Sequence, residues 1–552
     1  MRTAARVLLE TLRLNGVDRM FHVPGESFLA LLDALYDERR IDLVTCRHES
    51  GAGFMALADA RLTGRVGVYM ATRGPGASNA SIALHAAEQD AVPLLLIIGQ
   101  VPRRDIGRGA LQEVDFRSMY GRLVKFVAEI QEPDRVAEIA AKALRIAHEG
   151  VPGPVVLSIP DDVLSQPLAS MPVGPSRYAL PRPSGESLEE TAQRIARAAR
   201  PLAIAGGSLE RGEGRQALQR FSEKWQVPVA TSFRRLDLFP NEHEYYAGRM
   251  SLDAPQEQRS AFDSADLVVA LGTRLGDFTT LGYEFPSLPQ PRQPLIHVYA
   301  TPAILGLHFA PELGIVADPL ALLEGLNEMT PPSPPAEREP WIVQLRTIRQ
   351  RLSTWTRKTA EDGVVHDNVI ASLAPLLPED AIVTADAGTH VGGVYRYLSF
   401  GRRRRLLAPL SGAMGYGVPA GVAAALRHPD RRVFTFVGDG GFMMTGAELL
   451  TAIARRLPLC VVLANNDSYA SVRWFQEQAY PGRAVGTDLT NPDFLQLAKA
   501  FGCPGYRIGR EEEIDSVLRD ALGHEGPVLV EVKSSLSSIL PHAAATASEG
   551  AK

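Results

Sequence analysis

Short apolar runs alternate along this chain with longer stretches in which apolar residues recur at helical spacing. That alternation predicts α/β architecture on parallel sheets. In the first third the strand candidates are RMFHV, DLVTC, VGVYMAT, PLLLIIG and PVVLSI. In the middle third they are PLAIAGG, VPVATS, ADLVVALG and PLIHVYA, and in the last third AIVTADAG, RVFTFVGDG, PLCVVLANN and PVLVEV. Two Pro-rich segments, residues 170 to 187 and 329 to 340, read as linkers. The expected fold is therefore α/β, with three doubly wound parallel-sheet domains at residues 1–169, 188–328 and 360–537 and a disordered tail at 538–552. In open α/β sheets, ligands sit outside the carboxyl ends of the strands. The Gly-rich segments VPGES, TRGPGASN, AGGS, DAGTH and VGDGG fall at those ends.

Composition narrows the class without naming a chemistry. The chain has 552 residues, 45% hydrophobic and 22% charged, which are ordinary globular values. A net charge of -5 argues against a nucleic-acid partner, and no apolar run is long enough to span a membrane. The opening MRTAARVLLETLRLNGV breaks its apolar run at Glu10 and Arg13, so it reads as an amphipathic helix ended by Gly16 and not as a signal peptide. Cys46, Cys460 and Cys503 are far apart and lack metal-ligand spacing. They read as reduced core thiols of a cytoplasmic protein.

The most specific segment is RVFTFVGDGGFMMTGAELLTAIARRLPLCVVLANNDSYASV. One strand runs into Gly438-Asp439-Gly440-Gly441 and the next into Asn465-Asn466, so Asp439 and Asn466 end on one rim of the sheet. Oxygen ligands of this kind suit Mg²⁺ bridging to phosphate, and the glycines let backbone amides approach it. Thr445 followed by Glu448 reads as a capping box for the intervening helix. The GDG and NN elements at this spacing resemble the cofactor motif of thiamine-diphosphate-dependent enzymes. The resemblance implies Asp439, Asn466 and the Ser468 carbonyl as metal ligands, and Gly440, Gly441 and Tyr469 at the cofactor. The family usually has Gly where Asp467 stands.

The resemblance extends along the chain. APLSGAMGYGVPAGVAAAL is similar to the segment in which an apolar residue, here Met414, props the cofactor in its bent form. DAGTH resembles the loop touching diphosphate and pyrimidine, which brings in Gly388, Thr389 and His390. RHESGAGFMALADA, followed by TRGPGASNA, resembles the pyrimidine-binding (Pyr) domain of these enzymes, and the last third their diphosphate-binding (PP) domain. Glu49 then falls on the glutamate that shares a proton with the aminopyrimidine, and Asn79 on the loop closing over that ring. In the family the Pyr domain of one subunit faces the PP domain of another, which implies a homodimer or homotetramer with active sites at the subunit interface.

Within the family the likeness is to acetolactate synthases, through RHESGAGFMA, TRGPGASNA, IIGQVPRRDIG, LQEVD and NPDFLQLAKAFG. It implies decarboxylation of a pyruvate-like 2-oxo acid and transfer of the acyl unit to a second carbonyl compound, with thiamine diphosphate and Mg²⁺. Gln112 and Lys125 match substrate-side residues of that group. Four departures stand against a housekeeping synthase: Leu111 for Phe, Phe475 in register with the pocket Trp, Phe278 for an expected Arg, and Tyr299 for an acidic residue. The last two lie in the region that binds FAD in true acetolactate synthases, so they put FAD in question. A 2-oxo-acid decarboxylase of the benzoylformate type is the alternative, with a 2-hydroxyacyl lyase third. Those decarboxylases use active-site histidines, and no adjacent His pair stands in this sequence.

Overall fold

The computed structural model describes residues 2–177 and 179–540. Most of the tail expected to be disordered, from residue 541 on, lies outside them. The chain divides into two compact units: residues 1–176 with 357–394 and 407–552, and residues 177–356 with 395–406.

The first unit carries two six-stranded parallel sheets. The amino-terminal one is built from β1 (Arg19–His22), β2 (Asp42–Thr45), β3 (Gly67–Ala71), β4 (Leu94–Gln100), β5 (Phe126–Glu129) and β6 (Pro154–Pro160), in the order β2-β1-β3-β4-β6-β5. Its inner strands β3, β4 and β6 are buried along their whole length, as strands covered on both faces are, whereas the edge strand β2 leaves Thr45 exposed. Helix α1 (Glu49–Thr63) follows β2, and α2 (Pro75–Asp90) follows β3. His48 caps α1 by accepting from the Ser50 amide, and Gly64 ends it at φ +69°. The Gly/Ala richness of α1 has a packing cause. A Cβ on Gly53 would stand 2.3 Å from that of Ala83 on α2.

The other face of α1 meets the carboxyl-terminal part of the same unit. There α3 (His366–Leu373) precedes the second sheet, and α4 (Gly417–Arg427) packs on α1. One hydrophobic cluster runs from Phe54 and Ala80 to Val422 and Leu449. Phe54, 1% exposed, meets the Tyr416 ring edge-on at 5.7 Å. Its truncation to Ala is expected to cost about 3–5 kcal/mol. At the rim of this contact, Arg427 binds Asp59 at 2.8 Å and Asp18 at 2.9 Å.

Two further six-stranded sheets follow, beside a short antiparallel pair of Arg2–Thr3 with Pro167–Leu168. In the second unit β7 (Pro201–Ala205), β8 (Val229–Thr231), β9 (Tyr246–Arg249), β10 (Leu267–Leu271), β11 (Leu295–Tyr299) and β12 (Leu313–Val316) lie in the order β9-β8-β7-β10-β11-β12, the doubly wound arrangement with its switch point between β7 and β10. The segment read as the second linker, residues 329 to 340, ends in an anchor. The buried Arg338 guanidinium donates to the carbonyls of Ile195, Ala198 and Trp225, and the Trp341 indole to Pro201. The helix Arg338–Ser353 thus belongs to this unit, beyond the expected boundary at 328. The last sheet uses β13 (Ile382–Ala385), β14 (Arg405–Leu407), β15 (Val433–Gly438), β16 (Leu459–Asn465), β17 (Gly505–Ile508) and β18 (Val528–Lys533), in the order β14-β13-β15-β16-β18-β17. Helix α5 (Asp439–Thr445) leaves β15, and α6 (Ala470–Ala479) follows β16.

The three cysteines are free and buried, and among the described residues no helix is long and apolar enough to cross a membrane. The expected capping box does not form. Thr445 is the last residue of α5 and precedes the short turn Gly446–Glu448, but its hydroxyl donates to the Gly415 carbonyl at 2.6 Å and caps nothing.

Candidate active site

Strands β15 and β16 are neighbours in register, with Gly438 opposite Ala464, so their ends deliver Asp439 and Asn466 to one rim. Asp439 is 3% exposed; burial pushes its carboxyl pKa up, against hydrogen bonds from the Gly440 amide at 2.9 Å and the Asn491 amide at 2.9 Å. The same Asn491 nitrogen reaches Asn465 Oδ1 at 3.1 Å and Asp467 Oδ1 at 3.0 Å. One amide nitrogen has two hydrogens, so three oxygens compete for it. Asn466 Oδ1 is buried with no hydrogen-bond partner at all. This rim holds more acceptors than donors, the surplus that a hard cation satisfies. The residues therefore fit Mg²⁺. Below them Asn465 Nδ2 donates to the buried Glu531 at 2.7 Å. Asp467, at φ +53°, takes the left-handed conformation in which a Gly is usual.

The Ser468 carbonyl accepts from the Ala470 amide at 2.8 Å, and its hydroxyl donates to the Thr487 carbonyl at 3.0 Å. Gly440 has no room for a side chain. A Cβ there would fall 2.5 Å from the Tyr469 ring and 3.4 Å from the Met414 methyl. Asp386 holds the turn that carries Met414, accepting from the Gly415 amide at 3.0 Å and the Gly417 amide at 2.8 Å. Gly388 and Gly438 both abut the His390 ring, and the Thr389 amide donates to Ser471 at 2.8 Å. Met414, Gly388, Thr389, His390, Asp439, Gly440, Gly441, Asn466, Ser468 and Tyr469 thus gather around the ends of β13, β15 and β16.

Glu49 opens α1 and is 8% exposed. Asn79 of α2 donates to its Oε2 at 3.1 Å, and a Cβ on Gly76 would lie 3.1 Å from its Oε1. Gln112 comes to the same rim. Its backbone stands at φ +65°, and a Cβ on Gly74, just before α2, would fall 2.8 Å from the Gln112 Cβ. Lys125 does not join them. It precedes β5 and so stands at the amino-terminal rim, where its ammonium donates to the Glu149 carbonyl. The expectation that Lys125 joins Gln112 on the substrate side is therefore corrected: the two stand at opposite rims of the sheet.

The aromatic departures take definite places. Phe475 is 65% exposed on α6 with Trp474 edge-on at 5.0 Å. In the second unit Phe278 stacks on Phe233 at 4.5 Å, and Arg234 lies over that ring at 4.8 Å. Gly206, at the switch point, is explained by the chain itself, since a Cβ there would meet the Gly272 carbonyl at 2.4 Å. Phe278 thus brings an aromatic face where the resemblance leads to an Arg, and the Arg234 guanidinium stands beside that pair of rings.

Three residues escaped sequence reasoning. Asn491 acts 52 positions from Asp439. Glu448 reaches across to the amides of Arg47 and His48. His366 forms in space the imidazole pair that the sequence lacks, with ring centroids 6.4 Å from His390. Its two ring nitrogens are buried without partners, and burial lowers its pKa to about 4. At neutral pH it is an uncharged imidazole, unsuited to protonate a substrate.

Comparison with known proteins adds the family. The model described as thiamine pyrophosphate enzyme, N-terminal TPP binding domain, matches residues 2–119. The central domain of the same enzymes matches residues 188–326, and the C-terminal TPP binding domain residues 386–532. The acetolactate synthase large subunit of Corynebacterium glutamicum is 32% identical over 545 residues, covering 96% of this chain and 86% of the relative. The acetolactate synthase isozyme 2 large subunit of Escherichia coli is 31% identical over 544 residues, covering 97% and 96%.

Proposed function

The chain belongs to the thiamine pyrophosphate enzyme family, and from that premise we propose that it decarboxylates a pyruvate-like 2-oxo acid and joins the remaining acyl unit to a second carbonyl compound, as an acetolactate synthase-type enzyme does. The observation that carries the site is the buried, partnerless Asn466 Oδ1 beside the Asp439 carboxylate. When bound, thiamine diphosphate supplies a nucleophilic carbon and accepts the electron pair released with CO₂. Asp439, Asn466 and the Ser468 carbonyl would hold its Mg²⁺. The backbone amides of Gly440 and Gly441 would meet the diphosphate, with Gly388, Thr389 and His390 beside it. Met414 gives the site an apolar wall. Glu49 holds a proton at Oε1, while Asn79 fixes Oε2 and so the plane of the carboxyl. Gln112, near Gly74, lies on the substrate side of that glutamate.

We assign the Pyr role to residues 1–169 and the PP role to 360–537, with Glu49 serving the site of a second copy in a homodimer or a tetramer of dimers. FAD stays outside the assignment, since Phe278 and Tyr299 stand where the resemblance leads to an Arg and an acidic residue. The decarboxylase alternative gains nothing from the His366–His390 pair, since the inner ring is neutral and buried. The test is to feed pyruvate alone to the enzyme loaded with thiamine diphosphate and Mg²⁺. Release of CO₂ together with acetolactate is expected; aldehyde as the sole product would move the assignment to a simple decarboxylase.

A further inference from the structure

Glu448 is fully buried, yet it belongs to no group assigned above. It ends the turn Gly446–Glu448 that follows α5, the helix opened by Asp439. Its Oε1 accepts from the backbone amides of Arg47 at 2.9 Å and His48 at 3.0 Å, the two residues that lead into Glu49. Gly51 is shaped to admit it, for a Cβ there would fall 2.3 Å from the same oxygen. Its Oε2 is buried, with the Thr451 hydroxyl near the carboxyl. The segment ahead of α1 is thus gripped from outside its own domain by a side chain some 400 positions away.

We infer that Glu448 is a positioning residue for Glu49: it pins the two amides before α1 and thereby fixes where the Glu49 carboxyl points. The inference rests on the reading of Glu49 as the proton-sharing group. A carboxylate accepting two backbone amides holds them more tightly than a neutral carboxyl does. Burial raises the Glu448 pKa to about 7, so its grip strengthens as the pH rises through neutrality. Facing it are Arg47, the nearby cation, the His48 amide, and Cys46, whose thiol burial keeps protonated; Thr451 lies on its own side.

The test compares Glu448→Ala and Glu448→Gln with Glu49→Gln in the holoenzyme. Glu448→Ala removes the grip. The amides of residues 47–49 should exchange at least about tenfold faster, and kcat should fall about 10–100-fold with KM and cofactor affinity within about threefold. Glu448→Gln keeps one oxygen for the two amides. It should restore kcat to within about threefold of the parent and flatten its rise with pH near neutrality. Unchanged exchange at residues 47–49 in Glu448→Ala would overturn the inference. So would equal loss in both variants accompanied by loss of cofactor binding, or a pH profile that Glu448→Gln leaves intact. If Glu49→Gln turns over normally, the reading of Glu49 fails instead, and the exchange measurement still decides whether Glu448 pins the segment.

Discussion

Glu49 and Asp439 stand at the same kind of corner. Each is the first residue of a helix leaving the carboxyl end of a parallel strand, and each is almost buried. Their surroundings differ in one respect, the balance of donors and acceptors. Glu49 has a side-chain donor, Asn79, and a glycine opposite its other oxygen. That leaves one carboxyl oxygen free to give and take a proton. Asp439 stands among the oxygens of Asn465, Asn466 and Asp467, with Asn491 stretched across three acceptors. Such a surplus calls for a cation. The corner sets where an acid stands; its neighbours decide whether it handles protons or a metal.

The sharpest way to break this contrast is at the metal corner. Asp439→Ala should abolish Mg²⁺-dependent binding of thiamine diphosphate, by about 10³-fold or more, as followed by calorimetric titration with and without Mg²⁺. Binding that survives would remove Asp439 from the metal site. At the proton corner, Glu49→Gln should lower kcat by about 10²–10⁴-fold and leave cofactor affinity within a few fold. If the two variants fail in the same way, the proposed division of labour is wrong.

Much of this contrast is legible in the chain itself. The apolar runs with Gly-rich ends locate the strands, and Glu49, Asp439 and Asn466 fall at strand ends because α/β connections place them there. Relations that depend on tertiary register are not legible. Glu448, three residues after Thr445, has the spacing of a local cap, but its partners lie in another domain. Lys125 sits in a matching run of residues, but only the direction of β5 shows which rim it occupies. The Arg338 anchor hides within a Pro-rich stretch because its partners are backbone carbonyls, which leave no sequence signal.

Each half of the first unit also buries an imidazole, His22 on β1 and His366 at the start of α3, and burial lowers both pKa values to about 4. The unfolded chain takes up these protons first, as the pH falls below the ordinary histidine range near 6.5. Stability present at neutral pH is therefore lost between roughly pH 6.5 and pH 4, by up to about 3 kcal/mol for each group. Denaturant melts should show lower stability at pH 5 than at pH 7. His366→Phe should shrink that difference and leave the His22 contribution; a difference that does not shrink would mean that His366 is not the titrating group.

The smallest expected effect lies at Asp467, and it tests whether the acceptor surplus or the turn alone matters at the metal corner. Asp467→Gly should relieve left-handed strain of about 1 kcal/mol. It also removes the bond from Asn491 and a 3.8 Å contact with Lys533. That ion pair is largely exposed, 43% and 54% for the two side chains, so its loss costs little. The two changes offset, and the melting temperature of the metal-free protein should barely move. The charge near Asp439 does change. With one fewer carboxylate, Mg²⁺ should bind about two- to fivefold more weakly, read from Mg²⁺ titration at saturating thiamine diphosphate. Unaltered Mg²⁺ affinity with a higher melting temperature would make Asp467 a turn residue only, and the contrast with Glu49 would then rest on Asn465, Asn466 and Asn491.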